Sequence, residues 1–353
     1  MLNNTAYKLK HGKSLRVAYF GGSITEGAGS SDPAKTCYRA LTTAHLKSAY
    51  PDADITEIYA AIGGTGTSFG MFRQKPHVLA HEPDLIFIEF AVNDFGDTEE
   101  RVLPQMESML RQIRISSPMT DVVVLISTAQ MVLEALEAGE RFESRDAHVR
   151  AAMHYGVPVI DFGAALAARV QADGVPYEAY APDTLHPGDN GYAVMTEYLL
   201  KVLTAMLDVD PKSLTPHLTP APLCENCSET GDIVPVSELN GTKLNGFYYK
   251  EESNSGFNGF LESVKGGDSF TFSFDGIGVG LYRVGGDDGT DLLVSIDGGE
   301  PTVNESWDKY DRSFHKMNAA VITKSLPKGR HTVTVTVPEK DEVRVRIAAA
   351  FIC

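Results

Sequence analysis

Cysteine is scarce in this chain: Cys37, Cys224, Cys227 and Cys353 are scattered through 353 positions. That excludes a disulfide framework and points to a reducing compartment. Cys224 and Cys227 form a single CxxC in a proline-rich stretch. It lacks the second pair a zinc knuckle needs and the following helix of a thioredoxin-type site, so it reads as two incidental thiols. Positive charge is also short, with 31 Lys and Arg against 47 Asp and Glu and a formal net charge of −16. Nucleic acid, which requires a basic face, is excluded as a partner, and such acidity suits an uncharged substrate better than an anionic one. No apolar run approaches the ~18 residues of a membrane span, so no membrane partner is expected. Residues 1–13 lack the apolar stretch and small-residue cleavage site of a secretory leader, which makes the cytoplasm the expected location.

What is present is enough for more than one hydrophobic core, and two domains are the expectation for this length. Up to residue 210, short apolar runs alternate with helix-period segments, the signature of βα units around a parallel sheet. Buried strands are predicted at 15–20, 55–60, 85–90, 122–127 and 157–161, and helices at 36–49, 71–80, 99–115, 144–154 and 191–207. Pro211, Pro216, Pro220 and Pro222 then crowd a segment that can sustain neither helix nor central strand, so 211–232 reads as a linker. From 233 to 353 the apolar period is two, at 269–274, 280–283, 292–296, 332–337 and 343–347. Asp and Gly turns such as Asp297, Gly298 and Gly299 separate these runs, and a β-sandwich is expected.

In an open parallel sheet, ligands bind beyond the carboxyl ends of the strands, so the loops there are the first place to look for chemistry. After the first strand come Gly21, Gly22, Ser23, Ile24 and Thr25, which leave a hydroxyl at a sharp turn into a helix. After the second come Gly63, Gly64, Thr65 and Gly66, whose backbone N–H groups can approach a ligand closely. Asn93 and Asp94 follow the third, after a run whose only charge is Glu89. Late in the chain, Asp183, Thr184, Leu185 and His186 precede Pro187 and a helix. Taken alone, a Gly-Ser turn is usually a helix cap and an Asn-Asp pair usually a turn; their ordered conjunction carries the functional reading.

Over about residues 14–205 this set resembles the SGNH hydrolases, also called GDSL-type esterases and lipases, with the four family blocks in order. The resemblance implies a three-layer α/β/α, flavodoxin-like domain with a five-stranded parallel sheet. It makes Ser23 the nucleophile, His186 the general base that later protonates the leaving alcohol, and Asp183 the carboxylate that orients the imidazole. It assigns the oxyanion hole to the backbone N–H of Ser23, the backbone N–H of Gly64 and the side-chain amide of Asn93, with Gly63 or Gly66 as alternatives to Gly64. Two positions depart from the family pattern: Gly22 stands where Asp is usual and Ala91 where Gly is usual. Neither supplies a catalytic atom.

Other constellations have plainer readings. His77 and His81 have the i, i+4 spacing of two ligands on one helix face, but without the HExxH glutamate they read as a solvated face. The segment 285–291, with Asp287, Asp288 and Asp291, reads as a hairpin turn in preference to a calcium loop. No metal or organic cofactor is expected. The single tryptophan, Trp307, lies among Asn304, Asp308, Tyr310 and Asp311, and either fills the sandwich core or forms a sugar platform. Residues 233–353 look like a carbohydrate-binding module of the galactose-binding-like class. An SGNH domain followed by such a module is similar to carbohydrate esterase family 17, which implies an acetylesterase acting on acetylated oligosaccharides, manno-oligosaccharides among them. The rivals are a lipase, arylesterase or thioesterase of the same superfamily, and a glycan-binding protein with a silent site.

Overall fold

The computed structural model describes residues 1–252, 258–305 and 316–353, and the chain divides into two compact units, Met1–Glu229 and Thr230–Cys353. Among the described residues, no helix is long and apolar enough to cross a membrane.

The first unit runs α1 (Asn3–Lys10), β1 (Leu15–Gly21), α2 (Ser23–Glu26), α3 (Tyr38–Ala49), β2 (Ile55–Ala61), α4 (Thr67–His77), β3 (Leu85–Glu89), α5 (Glu99–Ser116), β4 (Asp121–Ile126), α6 (Gln130–Glu137), α7 (Glu143–His154), β5 (Val159–Asp161), α8 (Phe162–Asp173) and α9 (Asp189–Leu207). Its strands form a parallel sheet in the order β2-β1-β3-β4-β5. This is the expected α/β fold. Every residue of β3 and β4 is buried, because crossover helices cover both faces and the strands can be continuously apolar. In this strand order the chain leaves β1 to one side for β2, then crosses to the other side for β3. The crevice between the ends of β1 and β3 is therefore the place where flanking loops part and a ligand can enter.

Four helices, α1, α2, α6 and α8, lie outside the predicted helical segments. The short α1 buries Asn4, Thr5, Ala6 and Leu9, and its Thr5 N–H donates to Asp121 Oδ2 at 2.8 Å. The helix read at 71–80 starts earlier and ends at His77, so His81 sits on a separate turn and the two histidines do not share one helix face. His77 is partly buried, and that burial, with Arg73 beside it, lowers its pKa to about 4.

Most of the proline-rich stretch packs within the first unit. Thr215 exchanges hydrogen bonds with the Asn4 amide at 2.8 Å in each direction, and the His217 N–H donates to Pro118 O at 2.8 Å. The buried Glu107 accepts from the N–H groups of Leu223 and Cys224 at 2.6 and 2.8 Å. Backbone groups that prolines keep out of helix and sheet find side-chain partners instead.

The second unit contains β6 (Asp232–Pro235), β7 (Asn240–Asn245), β8 (Tyr248–Lys250), β9 (Phe260–Ser263), β10 (Ser269–Gly276), β11 (Val279–Gly285), β12 (Leu292–Ile296), β13 (Thr302–Asn304), β14 (Lys316–Thr323), β15 (Gly329–Thr336) and β16 (Val345–Ile352). Among the described residues these pair into two sheets, β13-β12-β15-β10-β7 and β14-β11-β16-β9-β8, with β6 beside β16. Phe270, Phe272 and Phe274 alternate inward from β10 and share one core with Val333 and Val335 of β15, Leu281 of β11 and Ile347 of β16. The turn after β12 holds Asp297 at φ 53° and Gly298 at φ 74°, two consecutive left-handed residues as a tight hairpin requires. The segment 285–291 is not a hairpin, since β11 and β12 lie in different sheets. It is a crossing, held where Asp288 O accepts from the Arg344 N–H at 2.8 Å.

Candidate active site

Ser23 sits where β1 hands over to α2. Gly22 is extended, Ser23 opens a single helical turn, and Gly27 closes it at φ 101°. Gly22 is needed for close approach: a Cβ there would lie 2.1 Å from Asn93 Oδ1. The position where the family pattern has Asp is thus the one that admits the Asn93 side chain beside the nucleophile turn.

The imidazole of His186 reaches this turn from the loop before α9. Its Nε2 lies 2.9 Å from Ser23 Oγ and its Nδ1 2.7 Å from Asp183 Oδ2. Asp183 Oδ1 accepts from the backbone N–H groups of Leu185 and His186 at 3.0 and 2.6 Å, so the carboxylate folds its own loop while it holds the ring. Burial works to raise the Asp183 pKa. The His186 ring and the two N–H groups outweigh it, and the carboxyl ionises below its ordinary value. Thr184, between acid and base, takes φ 67°, and its carbonyl accepts from the Gln130 N–H at 2.9 Å. Ser23 and His186, 163 positions apart in the sequence, therefore form with Asp183 one hydrogen-bonded line from hydroxyl to carboxylate.

Two of the remaining predicted residues, Asn93 and Gly64, lie on loops that leave the same end of the parallel sheet as Ser23. Asn93 follows β3, on the other side of the switch point from Ser23. Gly64 takes φ 71° in the exposed loop after β2, and the position a Cβ would take on its neighbour Gly63 is 3.6 Å from Ser23 Cβ. Trp307 lies outside the described residues.

Several supporting side chains carry no motif. Fully buried Glu89 accepts from Thr25 Oγ1 at 2.9 Å and from Ser127 Oγ, which ties the nucleophile turn to the end of β4; burial raises its pKa, against those two hydrogen bonds. Asp94 accepts from the Thr67 N–H at 3.0 Å and pairs with buried His148 at 3.0 Å, fixing the Asn93 loop to the start of α4 and to α7. Arg73, also fully buried, donates to the Ala60 and Gly21 carbonyls at 2.7 and 2.8 Å beneath the ends of β2 and β1. Tyr192 Oη donates to Ile24 O and Ala28 O at 3.0 and 2.8 Å, linking α9 to the nucleophile turn. The lone charge at Glu89 within an apolar run was the one signal of these visible in the sequence. Among the described residues, no group of three or more His, Cys, Asp or Glu side chains is arranged to hold a metal.

A Ser–His–Asp line at the mouth of a five-stranded α/β/α sheet defines the serine hydrolase class. Residues 19–194 match the GDSL-like Lipase/Acylhydrolase family, and the chain belongs to this GDSL/SGNH superfamily as a serine esterase. Among solved structures it is similar to a two-domain esterase (CEX) active on acetylated mannans, with 25% identity, TM-score 0.86, and coverage of 100% of this chain and 95% of that one. The same esterase co-crystallized with mannopentaose superposes with TM-score 0.84 at 25% identity, over 99% of this chain and 94% of that one. No curated protein sequence matches the chain.

Proposed function

We propose that this protein removes O-acetyl groups from acetylated manno-oligosaccharides through an acetyl-serine intermediate. The observation that carries the reading is the hydrogen-bonded line from Ser23 through His186 to Asp183, in a chain similar along its whole length to an esterase active on acetylated mannans. Ser23 Oγ attacks the acetyl carbonyl while His186 Nε2 takes its proton, and Asp183 stabilises the imidazolium that forms. The N–H groups of Ser23 and Gly64 and the amide of Asn93 face the oxyanion, which carries charge only as the carbonyl becomes tetrahedral. Collapse expels the sugar alkoxide, which takes the proton from His186. Water then attacks the acetyl-serine with His186 again as base, releasing acetate and restoring Ser23.

We assign Trp307 to sugar stacking on its sequence surroundings alone. The cytoplasm is our assignment for location, supported by the scarcity of cysteine, four in 353 residues. Mass spectrometry of acetate release from acetylated mannan, xylan and pectin oligosaccharides tests the substrate, and release from the mannan set is expected. A chromogenic acetyl ester in single turnover should give a burst that Ser23→Ala abolishes. Faster turnover of octanoyl than acetyl esters would overturn the deacetylase reading in favour of a lipase or thioesterase.

A further inference from the structure

Three residues beyond the nucleophile, the chain places Glu26 at the end of α2. Its Oε2 lies 2.8 Å from the position a Cβ would take on the exposed Gly63, and that position is 3.6 Å from Ser23 Cβ. Carboxylate, bare backbone and nucleophile are therefore neighbours on one rim. The other oxygen, Oε1, receives a long hydrogen bond from Tyr59 Oη at 3.4 Å. Tyr59 lies two residues before the end of the edge strand β2 with half of its surface exposed, 50%, so its ring is open to a ligand. The ring is not loose. The Arg39 guanidinium carbon stands 4.9 Å from its centroid, and Arg39 is itself fixed by Glu57 and by Pro33 O at 2.9 Å. Burial first, and the charge of Glu26 second, raise the Tyr59 pKa, so its hydroxyl stays a donor.

We propose that Glu26 and Tyr59 form the subsite for the sugar ring that carries the ester, and that this subsite selects neutral sugars over uronates. A pyranose offers an apolar C–H face and a fringe of hydroxyls. The backed tyrosine ring matches the face, and the carboxylate accepts from the hydroxyls in charge-assisted bonds. The same carboxylate repels a uronate. The acetyl group has no hydroxyls to offer and sits at Ser23, so the pair reads the leaving group and not the acyl group. This rests on the esterase reading above and gives its specificity a location.

The test compares three probes: acetylated manno-oligosaccharides, acetylated galacturono-oligosaccharides and 4-nitrophenyl acetate. Glu26→Gln should lower kcat/KM on the manno-oligosaccharides by about 10- to 100-fold more than on the aryl ester, the effect of losing one charge-assisted bond. It should also narrow the preference for mannan over galacturonan. Tyr59→Ala should raise KM for the manno-oligosaccharides more than for the aryl ester. Equal losses on all three probes would mean that the residues only support the fold, and would overturn the subsite while leaving the esterase intact. Wild-type turnover of the aryl ester with none of either oligosaccharide would overturn the carbohydrate reading and the subsite with it.

Discussion

Each unit of this chain holds a histidine bonded through Nδ1 to an aspartate at 2.7 Å: His186 to Asp183 in the first, His331 to Asp297 in the second. In both, the aspartate also accepts a backbone N–H from its histidine or the residue beside it. The difference is the third partner. His186 Nε2 meets Ser23 Oγ, a hydroxyl that can donate, so the nitrogen is free to act as acceptor and base. His331 Nε2 lies 2.7 Å from Pro327 O, which can only accept. Two acceptors favour the doubly protonated ring, and the pKa is raised first by Asp297 and then by the Pro327 carbonyl. A His–Asp pair is therefore not a site in itself. What faces the far nitrogen decides whether it catalyses or braces a turn.

Replacing each histidine puts that contrast to its largest test. His186→Ala should lower kcat on an aryl acetate by about 10⁴-fold or more, because members of such a line act as a unit. His331→Gln should leave kcat within about threefold of wild type, as expected for a ring whose Nε2 faces a carbonyl and not a nucleophile. Comparable losses in both variants would break the distinction. The proposed oxyanion donors come next in size: Asn93→Ala should cost about 100- to 1,000-fold in kcat with KM little changed, since in the proposed mechanism the amide meets charge that exists only in the transition state. A loss confined to KM would show that Asn93 binds the ground state instead.

The two units also differ in how much of them the sequence discloses. The buried strands of the first unit are legible because parallel strands covered on both faces must be apolar throughout, and 15–20 or 85–90 cannot be much else. Helices α6 and α8 are not legible. The second, Phe162–Asp173, starts directly after β5 on an Asp161 cap and is too rich in alanine to show a periodic face. In the second unit the long strand β10 alternates cleanly, while β7, nearly all exposed at a sheet edge, has no buried face to impose a period. The reading of 285–291 as a hairpin failed because local turn chemistry does not say which sheet the next strand will join. Around Ser23 the motif residues were visible by kind and order. Of their supports only Glu89 stood out, as the lone charge in an apolar run; Arg73, His148 and Tyr192 did not, since a buried polar residue is defined by partners distant in the chain.

The smallest effect is the most specific to the comparison. Folding raises the pKa of His331 and lowers that of Asp297. A raised histidine pKa means that the folded state holds the proton more tightly, so its stabilisation is complete below the unfolded value near about 6.5 and is lost as pH rises through the folded one. The lowered aspartate pKa adds stability that is present above about 3.9 and lost as pH falls through its folded value. The pair should brace the Asp297–Gly298 turn best between these limits. Thermal unfolding of wild type and His331→Gln at pH 5.5 and pH 8.5 reads this directly. A gap of a few degrees at the lower pH should shrink at the higher one. A gap that is equal at both, or wider at pH 8.5, would mean that His331 is neutral in the folded protein and that the carbonyl opposite its Nε2 does not force the charge.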